Sequence, residues 1–177
     1  MRLQTDLKGL QRLGAMSAIA LALTSCQAPP LSSEANSTAI APSTPASTAA
    51  SFAEVIAVEA TAGEPGAYTL AVTIKSPDTG CDQYANWWEV ISEEGDLIFR
   101  RVLAHSHVEE QPFWRPGGAI AVQPEQTLII RAHMYPTGYG RQAMQGSVSQ
   151  GFTVVQLAEG FAAELAQAAP QPPGCDH

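Results

Sequence analysis

Tyr68, Leu70, Val72 and Ile74 alternate with small or polar residues, and a period of two marks a strand with one buried face. Similar short runs of β-branched and aromatic residues, punctuated by Gly, Pro, Asp and Asn, recur along the chain beyond Ser51. They place strands at about 53–60, 67–75, 84–92, 96–104, 119–122, 127–134 and 147–156. Glu93-Glu94-Gly95 suits a tight hairpin with Gly95 in the left-handed conformation. Seven strands in about 105 residues is the spacing of an antiparallel sandwich, and no helix long enough for a parallel crossover lies between any two of them. The 14 Gly and 13 Pro point the same way, away from a helical bundle. The fold class expected is therefore all-β, a single antiparallel β-sandwich.

The first 25 residues read as an export signal. Arg2, Lys8 and Arg12 precede an apolar run from Ala15 to Leu23, and nine residues at about 1.5 Å each cannot cross a hydrocarbon core of roughly 30 Å. The run closes on Leu23-Thr24-Ser25-Cys26, which resembles the lipobox of bacterial lipoproteins. That resemblance implies cleavage before Cys26, acylation of its thiol and amine, and an anchor at a membrane outside the cytoplasm. Several acyl chains hold a protein where one would not, at roughly 0.8 kcal/mol per buried CH₂. Gln27 stands where an Asp would favour inner-membrane retention, so the expected address is the outer membrane, its periplasmic face or the cell surface.

Residues 26–51 form a linker. Between 27 and 50, Ala, Ser, Thr and Pro account for 19 of 24 residues, with no apolar period to bury. A disordered tether of this length spans roughly 25–30 Å as a flexible coil. The β-sandwich domain is expected at 52–157. Beyond it, Leu157, Phe161 and Leu165 fall on one face of a short helix, and Pro170, Pro172 and Pro173 end it, so 158–177 reads as helix and proline-rich tail.

Within the domain, Val122-Gln123-Pro124-Glu125-Gln126-Thr127-Leu128-Ile129-Ile130-Arg131-Ala132 resembles the turn and penultimate strand of fibronectin type III and related immunoglobulin-like domains. Trp88-Glu89-Val90 before a Gly-containing hairpin resembles their third strand, which implies that Trp88 is core. Leu128 stands where those domains would place the Tyr of the tyrosine corner. The stretch from Cys81 to Phe113 is similar to segments of uncharacterised bacterial surface lipoproteins, a likeness that implies no activity.

With Cys26 given to lipid, Cys81 and Cys175 form an even pair in an oxidising compartment and are expected to be disulfide-bonded, with free thiols or a metal pair as the alternatives. His105-Ser106-His107 is the sharpest motif for chemistry. Residues two apart share a face of a strand, so His105 and His107 could hold a copper or zinc ion, with Glu109 and His133 as further ligands and Met134 and Met144 nearby. The plainer reading has these imidazoles capping a strand and bonding across the loop at Gln111-Pro112-Phe113. A second candidate is aromatic. Trp87 faces outward if Trp88 is core, and with Trp114, Tyr135 and Tyr139 it could stack on sugar rings or anchor a protein. Arg100 and Arg101 could recognise an anion, or pair across strands with Glu89.

No nucleophile–base–orienter set emerges: there is no Gly-x-Ser-x-Gly and no Gly-rich loop before a helix, so no catalytic residue is expected. Seventeen acidic against nine basic residues argue against nucleic acid as a partner. Two functions stand: a non-enzymatic, lipid-anchored binding or structural module meeting an envelope protein or glycan without a cofactor, and a periplasmic metal-binding lipoprotein.

Overall fold

The computed structural model describes residues 52–176, so the export signal, Cys26 and the whole of the linker lie outside the described residues. Nine strands follow in chain order: β1 Glu54–Ala62, β2 Ala67–Lys75, β3 Tyr84–Ile91, β4 Leu97–Val102, β5 Phe113–Ala121, β6 Leu128–Tyr135, β7 Gly138–Tyr139, β8 Gln142–Ser147 and β9 Gly151–Gln156. They pair antiparallel in two sheets. One has the order β1-β2-β5, the other β4-β3-β6-β8-β9, with the two-residue β7 paired to β6. Strands one, two and five thus oppose three and six, as in immunoglobulin-like sandwiches, while the fourth pairs with the third instead of extending the first sheet.

The alternating residues do what their period demands. Leu70, Val72 and Ile74 of β2 and Val55 of β1 pack against Trp88 and Val90 of β3 and Leu128, Ile130 and Met134 of β6, all at most 1% exposed. Trp88 is the largest piece of this core. Gly117 of β5 lies on its indole, and a Cβ there would meet Trp88 Cζ2 at 2.6 Å and Phe99 Cε1 at 2.7 Å. The β3–β4 hairpin turns through Gly95 at φ 95°, with the Ser92 N–H donating to the Asp96 carbonyl and the Gly95 N–H to that of Ser92.

Three expectations change. The strand expected at 119–122 begins at Phe113, and the one expected at 147–156 is only β9 and the turn before it, paired with β8 from Gln142 in a hairpin turned at 148–150 with Gly151 at φ 80°. The short helix on Leu157, Phe161 and Leu165 is not formed. Gly160 (φ 74°) and Ala162 (φ 46°) break the spiral, which leaves turns and one 3₁₀ segment, Ala163–Gln167. Those three apolar side chains still share a face. They pack with Ile91, Ile129, Ala143 and Val155 in a second cluster on the outer side of the larger sheet. That sheet is thus covered on both faces, and all eight residues of β3 are buried.

Candidate functional site

The outer face of β3, β4 and β6 carries an ionic network under the C-terminal segment. Glu89 accepts from Arg100 through Nε (2.9 Å) and Nη2 (2.6 Å) on one carboxylate oxygen, and from Arg131 Nε (2.8 Å) on the other. Register sets this: Glu89 stands opposite Arg100 on β4 and Arg131 on β6. The rest of each guanidinium serves the C-terminal segment. Arg131 donates to the carbonyls of Phe161 (2.6 Å) and Ala162 (2.7 Å), and Arg100 to those of Leu165, Ala168 and Pro170. Two cations against one anion would leave a buried positive charge, and the five carbonyl oxygens supply the missing acceptors. The arrangement is a clamp that ties the segment to the sheet.

Aromatic rings complete it. Arg100 lies 4.4 Å over Trp87, whose ring stacks on His133 at 3.8 Å, and Arg131 lies 3.5 Å over Tyr139. His133 Nδ1 bonds Asn86 Oδ1 at 2.7 Å. Burial first, then Arg100 and Arg131, hold the His133 pKa down at about 4, which keeps the imidazole neutral. Burial and then the Glu89 charge push the Tyr139 phenol up to about 12. Beside the clamp runs a cleft of about 490 Å³ bounded by Phe52, Arg131, Tyr139, Arg141 and Phe161.

The expected outward-facing Trp87 is therefore corrected. It is 2% exposed, because strand alternation sets which side it faces and Arg100, His133 and Tyr139 cover the ring on that side. Tyr139 is half-buried beneath Arg131, whereas Trp114 on β5 and Tyr135 at the end of β6 are 59% and 48% exposed. Trp87 and Tyr139 meet edge-on at 6.3 Å and Tyr135 sits beside Tyr84 at 6.1 Å. Trp114 belongs to the other sheet, so the four do not form one surface. Arg131, half of the clamp, was missed; its signal was a charged residue set between Leu128-Ile129-Ile130 and Ala132 in a mostly apolar run.

The end at which the chain enters β1 also carries the 76–83 and 103–112 loops. There Cys81 and Cys175 form the expected disulfide, with Cα atoms 5.5 Å apart. Asp78 fixes the loops: Oδ1 accepts from the Ser76 hydroxyl and the Ala85 N–H, and Oδ2 from the His107 N–H at 2.8 Å. Gln111 bridges Ser76 and the His107 main-chain carbonyl, so the bonds across this loop run through the backbone of His107 and not through the imidazoles. The His105 and His107 rings are 4.7 Å apart, the first exposed and the second 3% exposed and stacked on Phe113 at 3.8 Å. Neither ring nitrogen of His107 has a hydrogen-bond partner. Burial chiefly, then the Arg115 and His105 charges, push its pKa below the usual imidazole value.

The proposed metal set is not brought together. Glu109 is exposed, His133 lies on the outer sheet face bonded to Asn86, and Met134 and Met144 are buried in the core. Among the described residues, no group of three His, Cys, Asp or Glu side chains is placed to hold a metal ion.

No known protein family and no solved structure matches the chain. It is similar to a protein of Halomicrobium mukohataei named "Putative lipoprotein", 36% identical over 87 residues. The match covers 49% of this chain and 43% of that protein, so the chain spans a little under half of the relative's length.

Proposed function

We propose that this chain is a lipid-anchored module of the cell envelope, without catalytic activity, whose sandwich binds or braces another envelope component. The observation that carries the reading is the likeness to a protein named as a lipoprotein, joined to a lipobox that ends on Cys26 directly after a short apolar run. Diacylation and N-acylation of Cys26 hold the chain at the membrane, and residues 27–50 lift the sandwich away from it. The described residues fit a scaffold. Their most elaborate polar network spends the guanidinium groups of Arg100 and Arg131 on Glu89, Tyr139 and main-chain carbonyls, which stiffens the fold. Trp114 and Tyr135, exposed at the chain-entry end, are the side chains best suited to meet a protein or glycan partner.

Fatty-acid labelling with membrane fractionation tests this. The native chain should take up labelled palmitate and sediment with membranes, while Cys26→Ser should lose the label and either stay unprocessed or appear in soluble fractions. A Cys26→Ser chain that matures normally and still sediments with membranes would remove the basis of the proposal.

A further inference from the structure

Between the edge strands β4 and β5, at the chain-entry end, lies a cavity of about 120 Å³ whose polar lining is Arg101, Arg115, His105 and His107. It has room for several waters or one tetrahedral oxyanion. Four features give it a character. No carboxylate is among its lining residues. Both ring nitrogens of His107 are buried without a partner, a cost that a ligand bonding them would remove. The Arg101 guanidinium is exposed and forms no ion pair among the described residues. Arg115, whose Nη1 and Nη2 donate to Glu110 and whose Nη1 also donates to the Trp114 carbonyl, adds a second guanidinium to the lining. The other nearby acid, Asp78, is bonded to Ser76, Ala85 and the His107 backbone, and its Oδ2 lies 3.9 Å from His107 Nδ1, beyond hydrogen-bond distance, which leaves Nε2 as the ring atom for a ligand.

We infer that this cavity binds a phosphate or sulfate group, held by the Arg101 and Arg115 guanidinium groups with an imidazole N–H from the His105–His107 pair. Guanidinium forks match the tetrahedral oxyanion, and imidazole N–H groups complete its hydrogen bonds. A divalent cation would instead meet two fixed positive charges within the same lining and only two imidazoles as ligands. Such a group is either a free ion or an ester on a larger envelope molecule. The placement uses residues distinct from the clamp and from Cys26, so it stands or falls separately from the anchoring proposal.

The test uses the full chain purified from membranes in detergent. It is titrated calorimetrically with inorganic phosphate, sulfate and glycerol phosphate at constant ionic strength, with chloride as control. Saturable one-to-one binding at ~1 mM or tighter is expected, falling at least tenfold in Arg101→Gln. That exposed residue makes no bond within the fold, so its loss leaves the melting temperature without ligand unchanged. Stronger binding of glycerol phosphate than of phosphate marks an esterified group, and the reverse order a free ion. Absence of saturable binding, or binding unchanged in Arg101→Gln, overturns the inference. So does tight uptake of zinc or copper that Arg101→Gln leaves intact or improves, which would make the pocket a metal site.

Discussion

Removing the charge of Glu89 should be among the most damaging single substitutions in this domain. Glu89 is fully buried and receives three N–H bonds from two guanidinium groups, both also withdrawn from water. Glu89→Gln keeps the shape, but it leaves two cations facing a neutral amide that can accept from only one of them. Breaking a buried ion pair in this way costs about 3–5 kcal/mol, because the surviving charge is left uncompensated. A domain of this size is stabilised by roughly 5–15 kcal/mol, so the loss is a large share of the total. For the 125 described residues, an unfolding entropy of about 2.1 cal/mol/K per residue turns it into a drop of roughly 11–19 °C in Tm. Far-UV circular dichroism during heating reads this directly. A fall of less than about 4 °C, the equivalent of roughly 1 kcal/mol, would refute the reasoning.

A companion variant separates the two duties of the arginines. Exchanging all members of a buried ionic triad for apolar residues is often neutral or stabilising. Here it should not be, because the carbonyls of Phe161, Ala162, Leu165, Ala168 and Pro170 would lose their donors. The triple exchange Glu89→Met, Arg100→Met, Arg131→Met should therefore remain less stable than the native chain. It should also show faster amide hydrogen exchange across 157–170. Full recovery of the native Tm would mean that the clamp on the C-terminal segment contributes nothing.

Two further outcomes follow from the geometry. The Cys81–Cys175 bond joins residues 94 apart, so replacing both by Ser should lower stability by up to about 4–5 kcal/mol in the chain-entropy account; a urea midpoint that neither reductant nor this double variant moves would contradict it. His133 has a folded pKa of about 4 against about 6.5 when unfolded, so its contribution is complete above pH 6.5 and lost as pH falls toward 4. That amounts to roughly 2–3 kcal/mol between pH 7.5 and 4.5, with His107 shifted in the same sense. His133→Gln should flatten this slope in urea unfolding series, and an unchanged slope would count against the assignment.

Where the local pattern decides, the sequence was legible. β2 was read at 67–75 and lies there, since its period of two is unbroken and its neighbours are turns. β5 was read too short because Pro116, Gly117 and Gly118 look like breakers. In place, β5 is an edge strand, where a residue without an N–H is tolerated, and Gly117 gives way to the Trp88 indole. β8, Gln142–Ser147, offers little β-branched signal, and Gly146 is needed where the Gly151 carbonyl comes close. For the site, local pattern sufficed for the Cys81–Cys175 bond and the Glu89–Arg100 pair. It could not assign Trp87 to the interior or find Arg131, because Trp87 is covered by Arg100, His133 and Tyr139 from other strands and Arg131 bonds a segment thirty residues further along the chain.

Positive charge is the scarce quantity in this chain, and its distribution carries the last step. Beyond residue 25 only Lys75, Arg100, Arg101, Arg115, Arg131 and Arg141 are basic. Two close the clamp and two line the β4–β5 cavity. Antiparallel register puts Lys75, Arg101, Arg115 and Arg141 in the half of the sandwich where the chain enters. The opposite end is built from the 63–66, 92–96, 122–127 and 148–150 turns, which contain Glu64, Glu93, Glu94, Asp96 and Glu125 and no basic residue. The exposed cations of the described residues thus gather at the entry end, where they are mixed with Glu54, Asp78, Asp82, Glu109 and Glu110, while the turns of the opposite end carry acids alone; the charge is uneven along the strands, and the entry end is the less negative. In the field of an anionic membrane surface, this polarity gives an electrostatic torque that turns the acidic turns outward, screened beyond about 8–10 Å at physiological salt. Under the anchoring proposed above, the lipid on Cys26 would supply the attraction, because the net charge is repulsive, and the charge pattern would contribute orientation.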